Sequence, residues 1–322
     1  MSILISLIII ILGAILIMFG ANKLTDGSSG LAKKLNVSDL VIGLTVVAMG
    51  SSLPEFAVSL FSALQGSSGM SCGNIVGSNL FNTLMIVGAV ALISPLKVTK
   101  NTVFKDIPFT LVASVALFLL MKDSLFVTDS KDILSRADGL VLLLFFGIFM
   151  VYTLSLAFNG INQDDTDSEK VPDMTYTNIF IYIFVGFICL IGGGEAFVKG
   201  ATTLARELGV SETIIGMTIL AAGTSLPELA ASVIAARKGA AGMAIGNVVG
   251  SCLFNIFFIL GICSTITPMP VDDVTNLQMI VLISSGLMLY IFSFTHYEVK
   301  RWEGWIMALS YVAFIAYTVI TL

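Results

Sequence analysis

A short polar motif set in apolar sequence occurs twice in this chain. Gly50-Ser51-Ser52-Leu53-Pro54-Glu55 returns as Gly223-Thr224-Ser225-Leu226-Pro227-Glu228. Gly73-Asn74-Ile75-Val76-Gly77-Ser78 with Asn82 returns as Gly246-Asn247-Val248-Val249-Gly250-Ser251 with Asn255. Glu55 to Glu228 and Asn82 to Asn255 are the same 173 positions apart. Two separated motifs that keep one register mark two copies of one structural unit, and in a membrane chain such copies enclose a transport site. Each copy carries a carboxylate inside an apolar stretch.

The setting is a membrane. Hydrophobic residues make up 57% of the chain and charged residues 11%, with mean hydropathy +0.99. Runs long enough to cross about 30 Å of hydrocarbon fall at 2–21, 40–64, 70–94, 103–121, 137–157, 176–196, 211–236, 243–267, 277–295 and 303–321. The expectation is an all-α polytopic protein of ten transmembrane helices, five per repeat. An odd number per repeat makes the second copy enter the membrane inverted. Lys and Arg concentrate in the loops after odd-numbered spans, which places the amino terminus outside. The first run lacks a basic flank, and 176–196 matches it in the second unit, so it reads as a helix rather than a secretory signal.

The expected units are 1–158 and 178–322, joined at 159–177 by an acidic cytoplasmic linker holding Asp164, Asp165, Asp167, Glu169 and Asp173. The linker lacks the glycine and closing glutamate of an EF-hand loop and is too short for a folded regulatory module. The net charge of −5 has no basic stripe behind it, which sets nucleic acid aside. Cys72, Cys189, Cys252 and Cys263 lie in apolar spans at no metal-ligand spacing and read as small packing residues. Trp302 and Trp305 after Lys300 and Arg301 have the composition of a headgroup anchor. His296, the single histidine, sits at an interface, away from any proton relay.

The chemistry lies in the repeated motif. Pro54 and Pro227 supply no N–H and clash with the carbonyls of Gly50 and Gly223, so spans 2 and 7 should break there. A plain proline kink is common in membrane helices. The glutamate directly after each proline, in both copies, argues for more. A carboxylate at the bilayer centre costs about 2.5–3.5 kcal/mol, and no Lys or Arg lies in the central turns of spans 2, 3, 7 or 8. The neutralising species is therefore external, cations or protons. Ser51 and Ser52 precede Glu55 by four and three residues and can share its helical face, as Thr224 and Ser225 can with Glu228. Ser78 and Asn82 are four apart, as are Ser251 and Asn255. Two carboxylates with hydroxyl, amide and freed carbonyl oxygens, and no Cys or His, suit calcium or sodium rather than zinc, copper or iron, with calcium favoured over magnesium. The G-x-x-x-G pairs at Gly73/Gly77 and Gly246/Gly250 signal close packing of spans 3 and 8 on spans 2 and 7.

These motifs resemble the alpha repeats of the cation/calcium antiporter superfamily, in particular the prokaryotic sodium/calcium exchangers, over nearly the whole chain. The resemblance implies ten helices in two inverted repeats, a central site built on broken helices 2, 3, 7 and 8, and first and sixth helices that slide across the bundle. It further implies that Glu55 and Glu228 bind calcium and share in sodium binding, with Ser51, Ser52, Ser78, Thr224, Ser225, Ser251 and the carbonyls of Ala48 and Ala221 completing the cation sites. Asn82 and Asn255 are both amides, whereas the place of Asn255 is often an acid in the family and is one in potassium-dependent relatives. That argues against potassium co-transport. Proton-coupled relatives read G-N-x-[ST]-E in the first motif, unlike this chain, so sodium is the expected driving ion.

The expected activity is electrogenic sodium/calcium antiport by alternating access, with calcium/proton antiport as the alternative. An intramembrane carboxylate hydrolase is disfavoured by the ring of Ser, Thr and Asn and by the lack of H-E-x-x-H or G-x-S-x-G. A passive channel is disfavoured by the duplicated broken helices. No cofactor and no obligatory protein partner are expected. The partners are calcium, sodium and the lipid bilayer. Without a targeting segment the expected location is a prokaryotic inner membrane.

Overall fold

A computed structural model describes residues 3–66, 68–126, 131–158, 174–210, 215, 219, 221–271 and 274–321. Among these, eight helices are long and apolar enough to span a membrane, or nine if one bent pair counts as a single span. They are α1 (Ile3–Leu35), α4 (Gly69–Ile93), α5 (Thr102–Met121), α6 (Arg136–Phe158), α7 (Tyr176–Glu207), α9 (Ala241–Ile266), α10 (Asn276–Phe294) and α11 (Arg301–Ile320). The bent pair is α2 (Asp39–Ser51) and α3 (Leu53–Leu64), meeting at 46°. The expected span 211–236 is described at 215, 219 and from 221 on, where a short turn, Ala221–Gly223, precedes α8 (Leu226–Arg237). Most of the acidic linker, 159–173, lies outside the described residues.

The first helix of each half runs beyond its apolar run. The sequence suggests 2–21 and 176–196, whereas α1 continues through Lys23 and Asp26, and α7 through Lys199 and Arg206. A helix stops for a backbone reason rather than at a hydropathy boundary. For α1 the stop is Asn36, left-handed at φ 54°, after which Val37 N–H returns to Ala32 O at 3.0 Å. At about 1.5 Å per residue, helices of 33 and 32 residues exceed the hydrocarbon thickness and so must tilt or emerge. They pack along each other closely enough that a Cβ on Gly20 would stand 2.7 Å from Leu190 N. The opposite face of α1, including Leu4, Ile11 and Ile15, is exposed and apolar, a surface for lipid.

Burial separates core from periphery. The most apolar windows of α4 and α9 are 78% buried, against 17% for α6. Gly250 shows what holds α9 on α2: a Cβ there would lie 2.6 Å from Leu44 O and 2.7 Å from Ala48 Cβ. The 173-residue spacing reappears in structure. Phe81–Ile86 in α4 and Phe254–Leu260 in α9 are π-helical, and each begins one residue before a motif asparagine. Two antiparallel clasps cross between the halves. One pairs β1 (Leu96–Lys97) with β4 (Glu298–Val299); the other pairs β2 (Ile133–Leu134) with β3 (Met269–Pro270). Beside β2, the Lys122 ammonium and the Ser124 N–H hold the Asp132 carboxyl down at about 2. The cysteines are free, three of them buried, and His296, Trp302 and Trp305 are exposed, as the sequence suggests.

Gly250→Ala is expected to lose about 1–3 kcal/mol through overpacking of α9 on α2 and to lower the thermal midpoint of the purified protein. Gly147→Ala on the exposed side of α6, with no described atom within 4 Å of the added Cβ, should leave it unchanged or slightly raised. Equal midpoints for the two variants would overturn the packing account.

Candidate functional site

The two prolines do not sit in mid-helix. The backbone breaks two residues earlier in the motif, at Ser52 (φ −83°, ψ 9°) and Ser225 (φ −91°, ψ 8°), and each proline falls in the first turn of the following helix. There its missing N–H is one that no intrahelical carbonyl would use, and its fixed φ suits the helix. Glu55 and Glu228 consequently occupy first turns, where the positive end of the helix dipole favours a carboxylate.

Both glutamates are buried, at 1% and 0% exposure. Their hydroxyl partners come from the other half of the chain. Ser225 Oγ donates to Glu55 Oε1 at 2.8 Å, and Ser52 Oγ donates to Glu228 Oε1 at 2.9 Å. Helical spacing groups Ser52 with Glu55 and Ser225 with Glu228. The structure instead exchanges the partners, because a break at the serine takes it out of register with the acid three residues later. Ser78 on α4 gives Glu55 a second, longer contact at 3.5 Å.

Ser51 and Ser251 serve the end of α2. Ser51 Oγ donates to Asn247 Oδ1 at 3.2 Å and to Ala48 O at 3.4 Å, and Ser251 Oγ donates to Ala48 O at 3.5 Å. The Ala48 carbonyl thus lies amid motif hydroxyls of both halves. Ala221, its counterpart, opens the turn before Thr224. Asn255 Nδ2 donates to Asn79 Oδ1 at 3.3 Å, which leaves its own Oδ1 buried without a partner. Neither amide atom of Asn82 has one.

Asn74 and Asn247 fasten the acids from behind, a role sequence reasoning missed. Asn247 Nδ2 donates to the Glu228 carbonyl at 3.2 Å and to Ser232 Oγ at 2.8 Å. Asn74 Nδ2 does the same to the Glu55 carbonyl at 3.5 Å and to Ser59 Oγ at 3.0 Å. The signal was available: Asn74 and Asn247, and Ser59 and Ser232, keep the 173-residue spacing.

Several oxygens at this centre are unanswered. Glu55 Oε2 and Glu228 Oε2 are buried without hydrogen-bond partners, as are Asn82 Oδ1 on α4 and Asn255 Oδ1 on α9, while Thr224 stands beside the Glu55 carboxyl. The ion pairs among the described residues, Lys122 with Asp132 and Lys238 with Asp26, lie elsewhere. Buried polar atoms normally find partners, so a group of orphaned acceptors around two carboxylates calls for something positively charged. No cluster of three or more His, Cys, Asp or Glu side chains occurs among the described residues. A cation here would take its other ligands from hydroxyl, amide and carbonyl oxygens, the chemistry of a hard ion.

Buried carboxylates on interrupted helices inside a bundle of apolar spans define an integral membrane transporter. Residues 5–155 and 178–320 each match the family described as sodium/calcium exchanger protein, and the chain belongs to that family. It is 34% identical to the sodium/calcium exchanger MaX1 of Methanosarcina acetivorans, covering 97% of each chain. It is 32% identical to the inner membrane protein YrbG of Escherichia coli, covering 82% of this chain and 81% of that one. A solved structure of the sodium-calcium exchanger NCX_Mj, soaked with sodium and no calcium, superposes with a TM-score of 0.81 at 33% identity over 98% of this chain and 99% of that one.

The exchanged partners can be read in a double-mutant cycle on thermal stability. Ser52→Ala with Glu228→Gln should couple by about 1.5–3 kcal/mol, the range for hydrogen bonds to charged groups, and Ser52→Ala with Glu55→Gln by much less. The reverse order would restore the same-helix pairing.

Proposed function

We propose that this chain exchanges sodium for calcium across the membrane, with Glu55 and Glu228 as the shared cation-binding pair. The observation that carries the reading is the pair itself: two buried carboxylates, each bonded through one oxygen to the opposite half and holding the other oxygen free. One calcium neutralises both charges, and sodium ions can do so in its place. Asn82, Asn255, Ser51, Ser52, Ser78, Thr224, Ser225, Ser251 and the carbonyls of Ala48 and Ala221 are the proposed remaining ligands.

The proposed architecture is ten transmembrane helices in two inverted five-helix units, 1–158 and 178–322, with the linker 159–177 between them. Support comes from the doubled family match, the 173-residue spacing and the clasps that cross between the halves on matching loops. The proposed mechanism is alternating access, in which the bundle switches sides only with its carboxylates compensated, since an empty dianionic site is too costly to occlude. If three sodium ions replace one calcium, each cycle moves one net charge, worth about 2.3 kcal/mol per 100 mV, and an inside-negative potential favours calcium extrusion. The amino terminus outside, an inner-membrane location and operation without cofactor or protein partner complete the reading.

The decisive experiment is calcium uptake into proteoliposomes loaded with sodium and diluted into sodium-free medium. Uptake should require the outward sodium gradient and vanish in Glu55→Gln and in Glu228→Gln while both variants still insert. Uptake driven by an outward proton gradient instead would establish calcium/proton antiport, and unchanged uptake in either variant would remove the pair from the site. Asn255→Asp, which adds an ionisable group at a proposed ligand position, should change the sodium and pH dependence of the same uptake. An unchanged profile would exclude Asn255 as a ligand.

A further inference from the structure

Beyond the paired glutamates, two carboxylates lie buried within the spans: Glu303, which accepts the Lys300 N–H at 2.7 Å at the start of α11, and Asp106. Asp106, 1% exposed, closes the π-helical turn Thr102–Asp106 at the start of α5. The position 173 residues on is Met279, so Asp106 has no counterpart in the duplicated site. Tyr152 on α6 donates its hydroxyl to Asp106 Oδ1 at 2.8 Å, while Oδ2 is buried with no hydrogen-bond partner.

No cation answers it. The side chain takes part in neither ion pair of the described residues. Lys105, adjacent on α5, is exposed and acts on it only through its field. Of the helices packed on α5, α10 brings Tyr290 as its one titratable group and α9 brings Cys252 and Cys263; α6 has Tyr152, with Arg136 and Asp138 at its far end. An ionised carboxylate held only by the Tyr152 hydroxyl and the neighbouring Thr102 in such surroundings is strongly disfavoured. A calcium ion would need six to eight oxygens, and Asp106 belongs to no group of three or more His, Cys, Asp or Glu side chains among the described residues. A proton needs one.

Access exists. Thr102 stands beside the carboxyl and shares a 3.0 Å hydrogen bond with Thr99. Thr99, Asn101 and Thr102 line a cavity of about 610 Å³. Its mouth carries Asp39, Lys97, Lys100, His296 and Glu298, of which both lysines and His296 are exposed to solvent.

We propose that Asp106 is a second proton-binding site, separate from the paired glutamates and loaded from this cavity, with Tyr152 as its positioning residue. The proton adds to Oδ2 from water, and Oδ1 keeps the Tyr152 hydroxyl. The inference does not depend on the exchange reading, and its test removes the glutamates outright. Full-length Glu55→Gln/Glu228→Gln protein in lipid bilayers is followed by infrared spectroscopy from about pH 8 to about pH 5.5, above the range in which exposed Asp and Glu titrate. A protonated-carboxyl C=O band is expected at the acid end. It should disappear when Asp106→Asn is added. It should shift to higher frequency with Tyr152→Phe, because the carbonyl loses its hydrogen bond. No band, or a band that survives Asp106→Asn, overturns the proposal. If Asp106→Asn does not fold, a band that Tyr152→Phe leaves in place overturns it equally.

Discussion

The structure depends on two buried carboxylates that cannot satisfy themselves. Glu55 and Glu228 lie buried in the bundle, without a basic partner among the described residues, and each takes a hydroxyl from the other half of the chain. Because Ser225 serves Glu55 and Ser52 serves Glu228, neither half is complete alone. The broken helices present the acids at helix starts, the motif asparagines hold the acids' backbone from behind, and the bare glycine surface of α9 lets α2 come close enough for the exchange of partners. The oxygens left over are those a hard cation would take.

The two copies of the motif do not sit in equal surroundings. Asn247 and its flanking Gly246 and Gly250 are buried, whereas Asn74, Gly73 and Gly77 are only half-buried. The same residues at the same spacing therefore occupy a tight environment in one half and a looser one in the other. This asymmetry is what the proposed alternating access requires of a duplicated unit, since a site open to one side at a time needs two packings of one motif. Asp106 is asymmetric in a simpler sense, present in one half with an apolar residue at its counterpart.

Much of the site was legible because the repeat singled it out. A lone Ser-Leu-Pro-Glu would read as a kinked helix; its return at a fixed distance, with Asn and Ser in step, marked the acids as candidate site residues. Asn74 and Asn247 carried the same mark and were passed over, since an amide beside a glycine in G-x-x-x-G reads as packing. Asp106 had no second copy, and its burial became visible only when α6 placed Tyr152 against it. Hydropathy located the spans and undercounted α1 and α7, whose polar ends stay helical until the backbone stops them.

By itself the sequence determined that the chain spans a membrane, that its motif occurs twice, and that two acids with oxygen-bearing neighbours are its candidate site. Composition, period and spacing are properties of the chain, and each has one physical reading in lipid. The tertiary structure decided which serine answers which glutamate, which oxygens stay free, and which copy of the motif is tightly packed. Helical periodicity relates only residues on one unbroken helix. Here the break falls at the serine, so the partner of each acid lies 170 or more residues away, where only the packing of one half on the other could put it.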